Sequence, residues 1–170
     1  MDQPAEVSVL EQGPLFVKVA VKGKIGKYSF TQTIRLTQGE PRIDMSVKLD
    51  WIGSPRIGEP GIEFRADNPR KSFYDDRYKL LVYLPIQIAN QQIYKDAPFD
   101  VCESRLENTF FNRWDSIKHN IILNWVDVAS KDNSCGLSLF TDHTTSHAHG
   151  KDFPLALNVQ YAGKGLWGRD

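Results

Sequence analysis

The strongest pattern in the chain is the alternation of apolar and polar positions in its first third. Leu15, Val17, Val19 and Val21 alternate with Phe16, Lys18, Ala20 and Lys22. After Gly23-Lys24-Ile25-Gly26, Tyr28, Phe30, Gln32, Ile34 and Leu36 alternate with Ser29, Thr31, Thr33 and Arg35. After Gln38-Gly39-Glu40-Pro41, Ile43, Met45, Val47, Leu49 and Trp51 alternate with Asp44, Ser46, Lys48 and Asp50. A period of two puts one set of side chains on each face of a strand. The glycines at both breaks punctuate hairpins. This third of the chain is predicted to be a three-strand antiparallel meander with one buried face and one wet face.

Residues 53–74 are rich in Gly, Pro, Arg and Asp, hold no period, and read as an excursion loop. Residues 80–88 read as a buried strand in which Pro85 marks a bulge or an edge. A short strand is expected over 91–95, while 98–115 is mixed and weak in signal. Residues 120–128 read as one strand, Lys131-Asp132-Asn133-Ser134 as a turn and 135–141 as another strand. Residues 142–152 read as a polar loop, and 154–161 as a strand with Leu155, Leu157, Val159 and Tyr161 on one face. Gly163, Gly165 and Gly168 then break the pattern. No segment holds a helical apolar period, and many short strands with turns between them mean an all-β sandwich or barrel.

A length of 170 residues suits a single domain spanning 1–170 with a sizeable core. Lys plus Arg is 21 and Asp plus Glu is 21, so no net field draws the chain to nucleic acid or anionic lipid. No apolar run is long enough for a membrane-spanning helix, and the N-terminus lacks the features of a signal peptide. Neither nucleic acid nor membrane is therefore an expected partner. Cys102 and Cys135 form no CxxC and are expected to be buried free thiols, with one disulfide as the alternative.

The richest stretch for chemistry is Asp142-His143-Thr144-Thr145-Ser146-His147-Ala148-His149, which holds three of the chain's 4 histidines. Imidazoles at 143, 147 and 149 with the carboxylate at 142 are of the type that suits zinc. A structural turn is the commoner use of such residues, and a sugar-contacting lip lies between the two readings. A Ser146-His147-Asp142 triad can be written down, but no nucleophile elbow or oxyanion glycines accompany it. Asp75, Asp76, Asp100, Glu103, Asp115 and Asp127 offer no singled-out catalytic pair. Asp75-Asp76 reads as a surface charge cluster with Arg70, Lys71 and Arg77. Trp51 and Trp125 continue strand alternations and are expected in the core, whereas Trp167, between Gly165 and Gly168, is the aromatic best placed to meet a ligand. The three glycines at 163, 165 and 168 follow no strand into a helix, so nucleotide binding is dismissed.

Several ordered stretches resemble the C-terminal half of family 38 glycoside hydrolases, the retaining α-mannosidases. They are Glu11-Gln12-Gly13-Pro14-Leu15-Phe16, Ile34-Arg35-Leu36, Arg42-Ile43-Asp44, Asp50-Trp51, Asn124-Trp125-Val126-Asp127 and Gly136-Leu137-Ser138-Leu139. Asp142-His143-Thr144-Thr145-Ser146, Phe153-Pro154-Leu155-Ala156-Leu157 and Gly163-Lys164-Gly165-Leu166-Trp167-Gly168-Arg169 complete the set. The chain is similar to the bacterial and lysosomal-type branch more than to the Golgi enzymes.

The resemblance implies a galactose-mutarotase-like antiparallel super-sandwich, incomplete at the C-terminus, as a fragment of a larger α-mannosidase. It implies hydrolysis of α-mannosides by the parent, with zinc, an Asp nucleophile and an acid catalyst in preceding domains. The family's zinc-binding His-x-Asp pattern is absent here, so no catalytic residue, cofactor or metal ligand is carried onto this chain. The implied partners are the chain's own missing catalytic domains and, through the parent, mannose-containing glycans. Asp142, His143, His147 and Trp167 are the substrate-lip candidates. The alternative is a non-catalytic carbohydrate-binding or domain-docking β-sandwich module.

Overall fold

The computed structural model describes residues 4–53, 79–86, 88–105, 117–150 and 153–161. Its strands are β1 (Glu6–Gln12), β2 (Phe16–Ile25), β3 (Tyr28–Thr37), β4 (Ile43–Asp50), β5 (Lys79–Leu84) and β6 (Gln91–Ala97). They continue with β7 (Asp100–Glu103), β8 (Ile117–Ile122), β9 (Trp125–Ser130), β10 (Gly136–Phe140), β11 (Thr145–Gly150) and β12 (Phe153–Tyr161). All pairings are antiparallel, and the described residues contain no helix. The fold is all-β. The chain divides into two units, Met1–Pro55 and Arg56–Asp170.

The first unit is one sheet in the order β1-β2-β3-β4. The predicted meander forms β2, β3 and β4. The β2–β3 hairpin turns at Gly26-Lys27, where Gly26 has φ 58°, a conformation glycine adopts without a Cβ penalty. Gly23 lies opposite Phe30, and a Cβ there would come within 2.7 Å of the Phe30 ring. The sequence reading missed β1, because the alternation of Val7 and Val9 breaks where the register shifts between Val9 and Glu11. A one-residue slip of this kind swaps the faces of a strand.

Register places Val9, Val19, Ile34 and Met45 in one row across the sheet, and Val17, Leu36 and Ile43 in the row beside it. This apolar face is not covered as the meander reading expected. Val7, Val9, Ile25, Leu36, Ile43 and Met45 are all exposed, Val7 by 67%. The fully buried Ala20 belongs to the opposite face, where Arg35 also lies over the Phe16 ring.

The second unit holds two four-stranded sheets, β10-β9-β6-β7 and β5-β12-β11-β8. Ile93, Val126 and Val128 of the first join Ile122 and Leu155 of the second in one buried cluster. Leu84, Ile88, Leu137, Leu139 and Leu157 pack around it. Two sheets sharing a core this way make a β-sandwich. Each buried aliphatic side chain contributes about 1.5–3 kcal/mol.

Residues 120–128, expected as one strand, are two. The chain turns at Leu123-Asn124 from β8 in one sheet to β9 in the other. The buried Asp96 carboxylate holds this corner, accepting from Leu123 N at 2.9 Å, Asn124 N at 2.6 Å and Asn124 Nδ2 at 3.2 Å. Lys95 Nζ donates to the Ile121 carbonyl at 2.8 Å beside it. Burial would push the Asp96 pKa up, but the N–H donors of Leu123, Trp125 and Asn124 together hold it below the ordinary carboxylate value.

Pro85 ends β5 rather than lying within it, and β5 is an edge strand, where proline is tolerated. The strand read over 154–161 is β12, but a register shift between Asn158 and Gln160 interrupts the single face expected for Leu155 through Tyr161. The β6–β7 hairpin turns on Pro98-Phe99, with Phe99 at φ 66° and fully exposed. The excursion loop over 53–74 lies outside the described residues except for Gly53, and the charge cluster around Asp75 lies wholly outside them. The cysteines are free but not both buried: Cys135 is exposed and Cys102 half-buried. Trp51 and Trp125 are half-buried, and Trp51 meets Tyr28 edge-on at 5.0 Å.

Candidate functional site

The stretch from Asp142 to His149 is not one polar loop. Only the bend at Asp142-His143 and the residue after it are irregular, and Thr145 onward is β11, the inner neighbour of both β8 and β12. The polar composition hides a strand because it carries no apolar alternation: β12 follows it directly along the chain, whereas β8 on its other side is supplied by an earlier, separate segment. Thr141 fixes the bend from behind: its N–H donates to the Asn124 carbonyl at 2.6 Å, and its hydroxyl to the His143 carbonyl at 2.9 Å.

At the bend, Asp142 Oδ1 and His143 Nδ1 lie 2.5 Å apart with both side chains largely exposed. The hydrogen bond from His143, reinforced by its charge, holds the Asp142 carboxyl below its ordinary pKa. This pair can exchange hydrogen bonds with a solvent-side hydroxyl.

His147 is fully buried and lies opposite Leu157, on the core side of its sheet. His149, two residues on, is 2% exposed, and desolvation pushes its pKa down to about 4. It is a neutral imidazole at neutral pH. Its Nδ1 has no hydrogen-bond partner among the described residues.

The histidine-rich stretch is therefore split. Asp142 and His143 stand together at the surface, while His147 lies in the core. Ser146 and His147 are consecutive strand residues and point to opposite faces, so the paper triad does not assemble. Among the described residues, no three His, Cys, Asp or Glu side chains are grouped to hold a metal ion. Trp167 lies outside the described residues.

Sequence reading passed over Asp96. Nothing in Tyr94-Lys95-Asp96-Ala97 marks it, since the backbone groups it binds are 27 and 28 residues away. The only local hint is a lone carboxylate inside a strand pattern.

No curated protein and no solved structure matches the chain. The family model described as "Glycosyl hydrolases family 38 C-terminal domain" matches residues 1–158, which takes in β1 through β11, the bend at Asp142-His143 and most of β12. With the match running through both units, the chain belongs to that family, as a glycosyl hydrolase family 38 C-terminal domain.

Proposed function

We propose that this chain is the C-terminal β-domain of a retaining α-mannosidase, a domain that supports the catalytic cleft, lines part of it and is inactive by itself. The family match over residues 1–158 carries the reading. The chemistry of the described residues supports it. The Asp142–His143 pair is a surface hydrogen-bonding group suited to a sugar hydroxyl, and it has neither a second carboxylate nor a nucleophile beside it in any contact described above. The zinc implied for the parent belongs, in this reading, to the preceding domains. Retaining hydrolysis requires two carboxyl groups about 5–5.5 Å apart across the glycosidic bond, and in this reading both come from the preceding domains.

The test is turnover of an aryl α-mannoside. The chain alone is expected to give none, with or without added zinc, and an enzyme carrying it behind the catalytic domains is expected to be active. In that enzyme His143→Ala is expected to raise KM more than it lowers kcat, since the pair contacts bound sugar without entering bond cleavage. Zinc-dependent turnover by the isolated chain would sink the proposal.

A domain-docking role without any part in the cleft is the second reading, favoured by the exposed apolar face of β1–β4. It predicts that Ile43→Asp separates the domain from its catalytic partner while His143→Ala leaves KM unchanged.

A further inference from the structure

The outer face of the β10-β9-β6-β7 sheet carries two adjoining rows of unlike chemistry. Phe140 pairs with Trp125 across β10 and β9, and Val101 occupies the β7 end of the same side, opposite Asp96, whose carboxylate is taken up by the β8–β9 corner. Phe140 is 71% exposed, Val101 55%, and Trp125 half-buried. The next row holds Ser138, Asp127, Tyr94 and Glu103, paired in that order across β10, β9, β6 and β7. Directly opposed residues of antiparallel strands project on one side, and neighbouring strands are about 4.8 Å apart, so these side chains share one surface. The alternate residues, Ile93, Val126, Val128, Leu137 and Leu139, face the core, which places both rows outward.

The polar row has hydrogen-bonding capacity to spare. Ser138 Oγ donates to Asp127 Oδ1 at 2.5 Å, which leaves Asp127 Oδ2 without a donor among the described residues. The Tyr94 hydroxyl likewise has no partner among them. Neither row contains a lysine or arginine, and the cation at the β7 end, Arg105, is paired with Glu103 at 3.3 Å.

We propose that this face binds an uncharged hexopyranose chain. A pyranose ring has an apolar CH face and a rim of hydroxyls. The CH face fits Phe140 and Trp125, and the hydroxyls fit the acceptor oxygen of Asp127 and the phenol of Tyr94 beside them. An anionic ligand meets the carboxylates of Asp127 and Glu103, and the cation beside them, Arg105, is already paired with Glu103. A purely apolar protein surface would strip water from Asp127 and Tyr94 without replacing it. The site shares no residue with the Asp142–His143 bend. Its test needs no turnover, so its failure and that of the mannosidase reading are separable.

The experiment is titration of the 170-residue chain with mannotetraose, and separately with dextran sulfate, followed by tryptophan fluorescence and amide NMR shifts. Mannotetraose is expected to bind saturably in the millimolar range, with shifts centred on β9 and β10. Phe140→Ala and Asp127→Ala are each expected to weaken it by about tenfold or more. Both residues lie outside the core, so an unchanged unfolding midpoint certifies the variants, and Lys48→Ala, on the exposed surface of the first unit, leaves binding intact. The proposal is overturned by the absence of saturation at tens of millimolar, by shifts confined to the Asp142–His143 bend, by undiminished binding in the Phe140 and Asp127 variants, or by dextran sulfate binding equally well.

Discussion

The sheet β1–β4 and the sandwich of the second unit show opposite relations between pattern and burial. Strands β2, β3 and β4 carry the cleanest alternation in the chain, yet the apolar face they build is exposed at Ile25, Leu36, Ile43 and Met45. Strand β11 reads Thr-Ser-His-Ala-His-Gly, with no apolar alternation at all, and is buried over its last four residues, His147 to Gly150. Alternation states which side chains share a face; it does not state what lies opposite. In the sandwich a second sheet lies opposite, and polar residues are carried inside with the strand that bears them. In the first unit an apolar face is made and left open, which is the state expected of a surface awaiting a partner.

Core truncation probes that contrast with the largest expected effect. Ile122→Ala or Leu155→Ala should cost about 2–5 kcal/mol by urea denaturation, because a cavity is left where both sheets meet. Ile43→Ala on the open face should stay within about 0.5 kcal/mol. Equal losses at Ile122 and Ile43 would mean that the face of β1–β4 is covered in the folded chain after all.

Acid should act on the sandwich through His149. Its folded pKa of about 4 lies below the ordinary 6.5, so between these values the unfolded chain takes up a proton that the folded chain refuses. The His149 contribution is complete above pH 6.5, declines as pH falls toward 4 and then levels off, for a total of roughly 3 kcal/mol, while the lowered pKa of Asp96 carries further loss at lower pH. Urea midpoints at several pH values should trace this decline, and His149→Gln should flatten it. A flat profile in the unmodified chain would show that the imidazole is hydrated.

The β8–β9 corner gives a smaller effect. Asp96→Ala strands the Leu123 and Asn124 N–H groups and should cost about 1–3 kcal/mol, with Asp96→Asn costing less because one acceptor oxygen survives. Hydrogen exchange at those two amides reads it directly. The smallest effect runs the other way. Phe99→Gly removes a Cβ from a residue at φ 66° whose ring is already in water, and should stabilise the chain by about 1 kcal/mol. A loss on that substitution would reveal a contact for the Phe99 ring.

Much of the fold was legible because strand signals are local. The meander, the edge position implied by Pro85 and the turn at Lys131-Ser134 follow from residues a few positions apart. The misses share one cause. The strands β1 and β11 and the break between β8 and β9 depend on a register slip or on partners far along the chain. At the candidate site, Asp142-His143 was legible as a surface polar pair, whereas the burial of His147 and His149 was not. Cys135 was misjudged for the same reason, since a cysteine's ordinary preference for the interior does not specify its neighbours.

The sequence by itself determined an all-β chain, its hairpin signals and its membership of glycosyl hydrolase family 38, because periodicity and ordered motifs are properties of the chain read in line. Only the tertiary structure decided which faces are closed, which histidines are removed from water and which carboxylate turns a corner. Those outcomes depend on groups brought together across tens of residues, and desolvation and hydrogen-bond completion act only once that meeting has occurred.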